Sequence, residues 1–243
     1  MDTRPLGPMS PSGEAGWRAA RQAARRHGYV VCHGRLREWA RAAGPWPREL
    51  LGVDWPRYLT AREPAVRARL SGSRLLLRHA VAAVAAVPPE RVRLGRDPRG
   101  RPVLAAPGGL DVGISHTAGV LVVGVARDRL IGVDVESRDR CLLAPGLAER
   151  FCHPGELAEL RALPAARRNA HLVRLWTLKE AYTKALGVGL AEDFARLDVR
   201  GLTAGAGWRL RCDGVPGGFL VASALGPGPS GARLPPYGGQ SSQ

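Results

Sequence analysis

Lysine is almost missing from this chain of 243 residues. Of 36 basic side chains only Lys179 and Lys184 are lysine, and the rest are arginine. Such a bias also follows from base composition, so the abundance of arginine says little about function by itself. Long apolar runs are missing too. None approaches the roughly 20 residues that cross a bilayer as a helix. The opening MDTRPLGPMSPSGE has proline and acidic residues where a secretory leader needs an apolar stretch. The expectation is a cytoplasmic protein with no membrane partner. Cysteine is scarce and scattered, at Cys32, Cys141, Cys152 and Cys212, with no CxxC pair. That argues against a zinc ribbon or a disulfide scaffold and fits reduced thiols. Aromatic residues make up 5%. The chain has no basic block, zinc-finger spacing or RNP-like aromatic motif, so the usual marks of a nucleic-acid module are absent despite the basic charge.

What is present is a net charge of +15, which steers polyanions or acidic proteins toward the surface. The length suits one large domain or two small ones. Residues 1–16 and 226–243 are rich in Pro, Gly and Ser and are expected to be a flexible N-terminus and a disordered tail. Between them the apolar stripe Leu70, Leu75, Leu76, Ala80, Val84 and Val87 predicts a helix over 62–87, stopped by Pro88-Pro89. DPRGRP at 97–102 reads as a turn. Val120–Ala126 and Leu130–Glu136 read as two strands of a hairpin turning at 127–129. Helices follow from Pro154 to about 163 and from about 168 to 186, and Gly187 and Gly189 lie where helices end. Short strands are expected at 197–199, 208–211 and 218–224. This order predicts an α+β fold, with two halves, 17–126 and 127–225, meeting near 125–130.

Two stretches carry chemistry. In GVDVE, residues 132–136, strand alternation puts Ile131, Val133 and Val135 on a core face and Gly132, Asp134 and Glu136 on the other. Two carboxylates side by side repel unless a cation or water separates them. Taken alone, a solvated edge strand is the commoner meaning of so short a motif. In WTLKEAYTKALG, residues 176–187, Glu180 and Lys184 project together with Trp176 and Val173, since positions four apart share a helix face. An ordinary surface pair has the same spacing. Lys179 falls instead among Leu172, Leu175 and Leu186, where a lysine must snorkel or meet an anion. Asp134, Glu136 and Glu180 together make an oxygen set for a hard divalent ion such as Mg²⁺, which commonly shares its site with substrate phosphates. Two lysines beside it would face a pyrophosphate. Ser115 and His116 can donate to a further phosphate; taken alone, a turn serine with a partly exposed histidine is the commoner meaning. Arg101 is either a turn arginine or a phosphate clamp. Cys152 and His153, adjacent in FCHPGE, have no third partner near and read as structural. Asp54, in WPRELLGVDWPRY, reads as packing and turn.

Gly100-Arg101-Pro102, Ser115-His116-Thr117, GVDVE, Phe151 and WTLKEAYTKALGVG, in this order over about residues 57–225, resemble the 4′-phosphopantetheinyl transferases of the large class that activates peptide and polyketide synthases. The resemblance implies two similar α+β halves with the active site between them, coenzyme A as co-substrate, Mg²⁺, an acidic acyl or peptidyl carrier protein as partner, and a monomer. It implies Asp134, Glu136 and Glu180 as metal ligands. Lys179, Lys184, Ser115, His116 and Arg101, and more loosely Arg57 and Arg69, would contact coenzyme A. Glu180, Lys184 and Asp134 would carry catalysis. The segment 137–163, with Arg138, Arg140, Arg150 and Arg161, is the expected carrier surface. A Mg²⁺-dependent nucleotide phosphohydrolase and an arginine-rich nucleic-acid-binding protein are the alternatives.

Overall fold

The computed structural model describes residues 6–44, 47–98, 100–106, 108–117, 119–188, 193–205 and 207–228. Among them, α1 (Gly13–His27) leads into β1 (Tyr29–Arg35). Three short helices follow, α2 (Leu36–Ala42), α3 (Pro47–Leu51) and α4 (Trp55–Thr60), and then the long α5 (Pro64–Ala85). A small hairpin of β2 (Arg93–Arg96) and β3 (Pro102–Ala106) precedes β4 (Leu110–Thr117) and β5 (Val120–Arg127). The second part runs through β6 (Ile131–Ser137), α6 (Leu147–Phe151), α7 (Pro154–Ala162), α8 (Ala165–Leu186), α9 (Val199–Gly205), β7 (Arg209–Val215) and β8 (Phe219–Leu225). The fold is therefore mixed helix and sheet, as expected. The predicted helices at 62–87, 154–163 and 168–186 correspond to α5, α7 and α8.

Two antiparallel sheets form the frame, one ordered β1-β5-β4 and the other β6-β8-β7. In each, the strand last in sequence lies in the middle. Alternation explains how they stack. On β5, Leu121, Val123 and Val125 join Leu76, Leu77, Ala80 and Val81 of α5 in one core. Val120, Val122 and Ala126 point the other way and meet Ile131, Val133 and Val135 of β6. The far face of the second sheet, Ala222 and Ala224, lies under Leu178, Ala181, Tyr182 and Ala185 of α8. The order of layers is α5, sheet, sheet, α8.

This arrangement corrects the expected hairpin at 120–136. β5 pairs with β1 and β4, whereas β6 pairs with β8. The link 128–130 carries the chain from one sheet to the other, with Asp128 left-handed at φ 52. Both strands have an apolar face, and those faces bury more against each other than an edge-to-edge pairing would allow. The expected strand at 197–199 does not form either: a 3₁₀ turn (Phe194–Arg196) precedes it, residues 197 and 198 join no helix or strand, and α9 begins at Val199. At the N-terminus the looseness expected for residues 1–16 does not extend to 6–16. Met9 exchanges backbone hydrogen bonds with Val31 and His33, and α1 begins at Gly13. Residues 1–5 and 229–243 of the two expected flexible ends, and Gly189, lie outside the described residues.

Asp54 does more than pack. It is buried beside Arg74 of α5 and Arg96 of β2. Burial pushes its carboxyl up, but hydrogen bonds from the two guanidinium groups outweigh this and hold the pKa below its ordinary value.

Candidate active site

The site is a groove of about 410 Å³ lined by Ser115, His116 and Thr117 of β4, Asp134 and Glu136 of β6, Arg140, and Trp176, Glu180 and Lys184 of α8. Three elements converge here because two small residues let them. A Cβ on Gly132 would lie 1.9 Å from the Ala181 carbonyl oxygen, so only glycine lets α8 lie this close to β6. A Cβ on Gly113 would lie 3.2 Å from the Ile131 carbonyl oxygen, so its absence brings β4 alongside β6.

Asp134 is only 5% exposed. It accepts from Lys184 Nζ at 2.5 Å and from Ser115 Oγ at 2.7 Å. Lys184 Nζ also reaches Ser115 Oγ at 3.2 Å and lies 3.7 Å from Glu180. The acidic face of β6 is thus covered by α8 rather than solvated. Burial raises the pKa of Asp134 against the pull of Lys184. Burial also raises that of Glu180, opposed by Lys184 and reinforced by Asp134. His116 moves the opposite way, lowered first by burial and then by the charges of Arg69 and Lys184, with Arg57 adding to the effect. Arg69 on α5 and Arg57 on α4 therefore lie within electrostatic reach of the groove. Glu136 turns toward Arg140, whose guanidinium also sits 4.8 Å over the Trp176 ring.

Two expectations change. Lys179 does not face the groove. Its side chain is fully buried, and its three donors are taken by Glu156 at 2.6 Å, Phe151 O at 2.7 Å and Phe194 O at 2.8 Å. The anion that an apolar helix face demanded is internal, so Lys179 is no phosphate contact in this arrangement. Arg101 lies outside the groove lining, with its guanidinium on Asp111. The three carboxylates share one groove but are not gathered as ligands. Among the described residues no group of three His, Cys, Asp or Glu side chains is arranged to hold a metal. Asp134 and Glu136 instead hold Lys184 and Arg140.

Sequence reasoning missed Asp111 and Glu156, and it read Asp54 as packing and turn without its partners Arg74 and Arg96. Glu156 had a readable signal. With His153 at the N-cap of α7, it forms a reciprocal capping box, and its other oxygen accepts from Val199 N. Cys152 is buried, consistent with a structural part.

β6 and α8 fall within a stretch that resembles other proteins. Residues 130–223 match the family model described as the 4′-phosphopantetheinyl transferase superfamily. Among similar proteins is the 4′-phosphopantetheinyl transferase HetI of Nostoc sp., 35% identical over 132 residues, 53% of this chain and 56% of that one. The 4′-phosphopantetheinyl transferase psf-1 of Bacillus pumilus is 32% identical over 126 residues, 52% of this chain and 53% of its own length. A 4′-phosphopantetheinyl transferase of Bacillus subtilis is 29% identical over 129 residues, 52% and 55% of the two chains. The chain spans about half the length of the curated relatives it matches. Among the described residues no helix is long and apolar enough to cross a membrane.

Proposed function

We propose that this chain moves the 4′-phosphopantetheine arm of coenzyme A onto a serine hydroxyl of an acidic acyl or peptidyl carrier protein and releases adenosine 3′,5′-bisphosphate. The observation that carries this is the meeting of Lys184 with Asp134, Glu180 and Ser115 in one groove, a cation among oxygen atoms with His116 beside them. The repeated strand order, with the last strand central in each sheet and a 22-residue helix on each outer face, supports two similar halves, 17–126 and 127–225, with the groove between them.

The chemistry follows from the residues. Glu180, with its pKa raised by burial, is a better base near neutrality than an exposed carboxylate. It takes the proton of the carrier serine. The serine oxygen then bonds to the phosphorus bearing the pantetheine arm, and the bond from that phosphorus to the bisphosphate oxygen breaks. Lys184 pairs with the oxygen that leaves and supplies it a proton. Ser115 and His116 face the adenosine-side phosphate, and Arg57 and Arg69 add positive potential. Asp134, Glu136 and Glu180 are an all-oxygen donor set on one groove and fit Mg²⁺ in kind, once Lys184 and Arg140 turn aside to free Asp134 and Glu136. When bound, the ion would neutralise charge on the pyrophosphate. Segment 137–163, including Arg138, Arg140, Arg150 and Arg161, would meet the acidic carrier, with an on-rate that falls with salt.

The test is mass spectrometry of an apo carrier protein incubated with the chain, coenzyme A and Mg²⁺. A serine-borne gain of one phosphopantetheine is the expected result. Intact coenzyme A and unmodified acyl and peptidyl carriers would overturn it, and phosphate release without a carrier would favour a hydrolase.

A further inference from the structure

β4 and β6 are outer strands of different sheets, and no ladder joins them. Their relative position nevertheless sets the groove, since Ser115 must meet Asp134 and Thr117 lies 3.5 Å from Glu136. Something other than strand pairing fixes that register. Leu130 exchanges backbone hydrogen bonds with 226 and 227 at the end of β8. The alternation of an antiparallel ladder then turns the peptide groups of Ile131 outward, toward β4. An exposed edge of this kind needs partners. Here they are side chains. Asp111 Oδ2 of β4 accepts the Ile131 N–H at 2.8 Å, and Arg101 Nη2 donates to the Ile131 carbonyl at 3.3 Å. Arg101 closes the ring on both Asp111 oxygens, at 2.9 and 2.8 Å, and reaches Val112 O at 3.4 Å. The Arg101 and Asp111 side chains are 20% and 19% exposed, so water competes weakly.

We propose that Asp111, acting with Arg101, is a positioning residue: the ion pair stands in for one strand rung and sets β6 against β4, so that Asp134 and Ser115 meet. For its activity arm this rests on the function proposed above. It assigns Arg101 a role other than the direct coenzyme A contact that family resemblance implied.

The experiment uses the full chain, ¹⁵N-labelled, as wild type, Asp111→Ala and Asp111→Asn. Amide exchange at Ile131 is expected to quicken about tenfold in Asp111→Ala, the scale of one lost hydrogen bond. The β5 amides, read in the same spectra, stay protected and show that the fold is intact. Asp111→Asn, which keeps an acceptor, falls between and answers the question if the alanine variant does not fold. In transfer assays kcat drops about tenfold for Asp111→Ala while KM for coenzyme A holds within about twofold, and Arg101→Ala and the double variant match it. Unchanged Ile131 exchange in Asp111→Ala overturns the proposal. So does a raised KM in Arg101→Ala when Asp111→Ala behaves as wild type. A wild-type chain that transfers nothing would sink the proposed function, while the exchange data still decide the role of Asp111.

Discussion

Helices α5 and α8 invite comparison. Each is 22 residues long, and each covers the outer face of a three-stranded sheet whose last strand is central. Each also buries cations. On α5, Arg74 meets Asp54, and Arg78 donates to the carbonyls of Glu49 and Leu50. On α8, Lys179 meets Glu156. The difference is Lys184, five residues further along, which leaves the core and enters a groove with Asp134 and Glu180. A shared topology therefore leaves the chemistry unevenly spread. Buried cations on both helices tie down neighbouring segments, and the charged groups that line the groove collect where α8 crosses β6.

The sharpest way to break this comparison is to treat the two lysines alike. Lys179→Met leaves Glu156 buried without its cation and is expected to cost about 3–5 kcal/mol in denaturant unfolding. Adding Glu156→Gln should recover part of that loss. Lys184→Met should instead remove transfer activity at a smaller cost in stability. Equal unfolding midpoints for the two variants would mean that Lys179 is not the structural one. Next in size, Glu180→Gln should slow carrier modification about 10²–10³-fold with the fold intact. A rate within twofold of wild type would remove Glu180 from the reaction. Gly132→Ala puts a methyl into α8 and should cost about 1–3 kcal/mol, or more if the backbone cannot shift. An unchanged melting temperature would show that the helix and strand are not in close contact.

Acid titration sharpens the α5 side. The folded pKa of Asp54 lies below the ordinary 3.8. Its stabilising contribution is thus complete above that value and is lost as pH falls through the folded pKa. The stability gap between wild type and Asp54→Asn should be flat at neutral pH and close at the acid end. A gap that widened on acidification would reverse the sign. Least of all, Arg140→Ala removes a half-exposed partner of Glu136 and should change stability by no more than about 1 kcal/mol, and less in high salt.

Much of the frame was readable from pattern. The stripe from Leu70 to Val84 placed α5, Pro154 and Gly187 bounded the later helices, and alternation sorted Ile131, Val133 and Val135 from Asp134. Ser115, His116, Asp134, Glu136, Glu180 and Lys184 were all named before the fold, and they line one groove. The pattern did not show that β5 and β6 belong to different sheets, because a three-residue link suits both a hairpin and a crossing between layers. Nor could it show Asp111 or Asp54, whose partners are 10 to 42 residues away.

Local order, then, determined which residues form helices and strands, and the helix wheel already required an anion for Lys179. The identity of that anion was decided only by tertiary structure. Period and propensity act within a few residues, whereas a buried charge takes whichever partner the packing of distant elements brings within reach. For Lys179 this is Glu156 from α7, and for Lys184 it is Asp134 from β6.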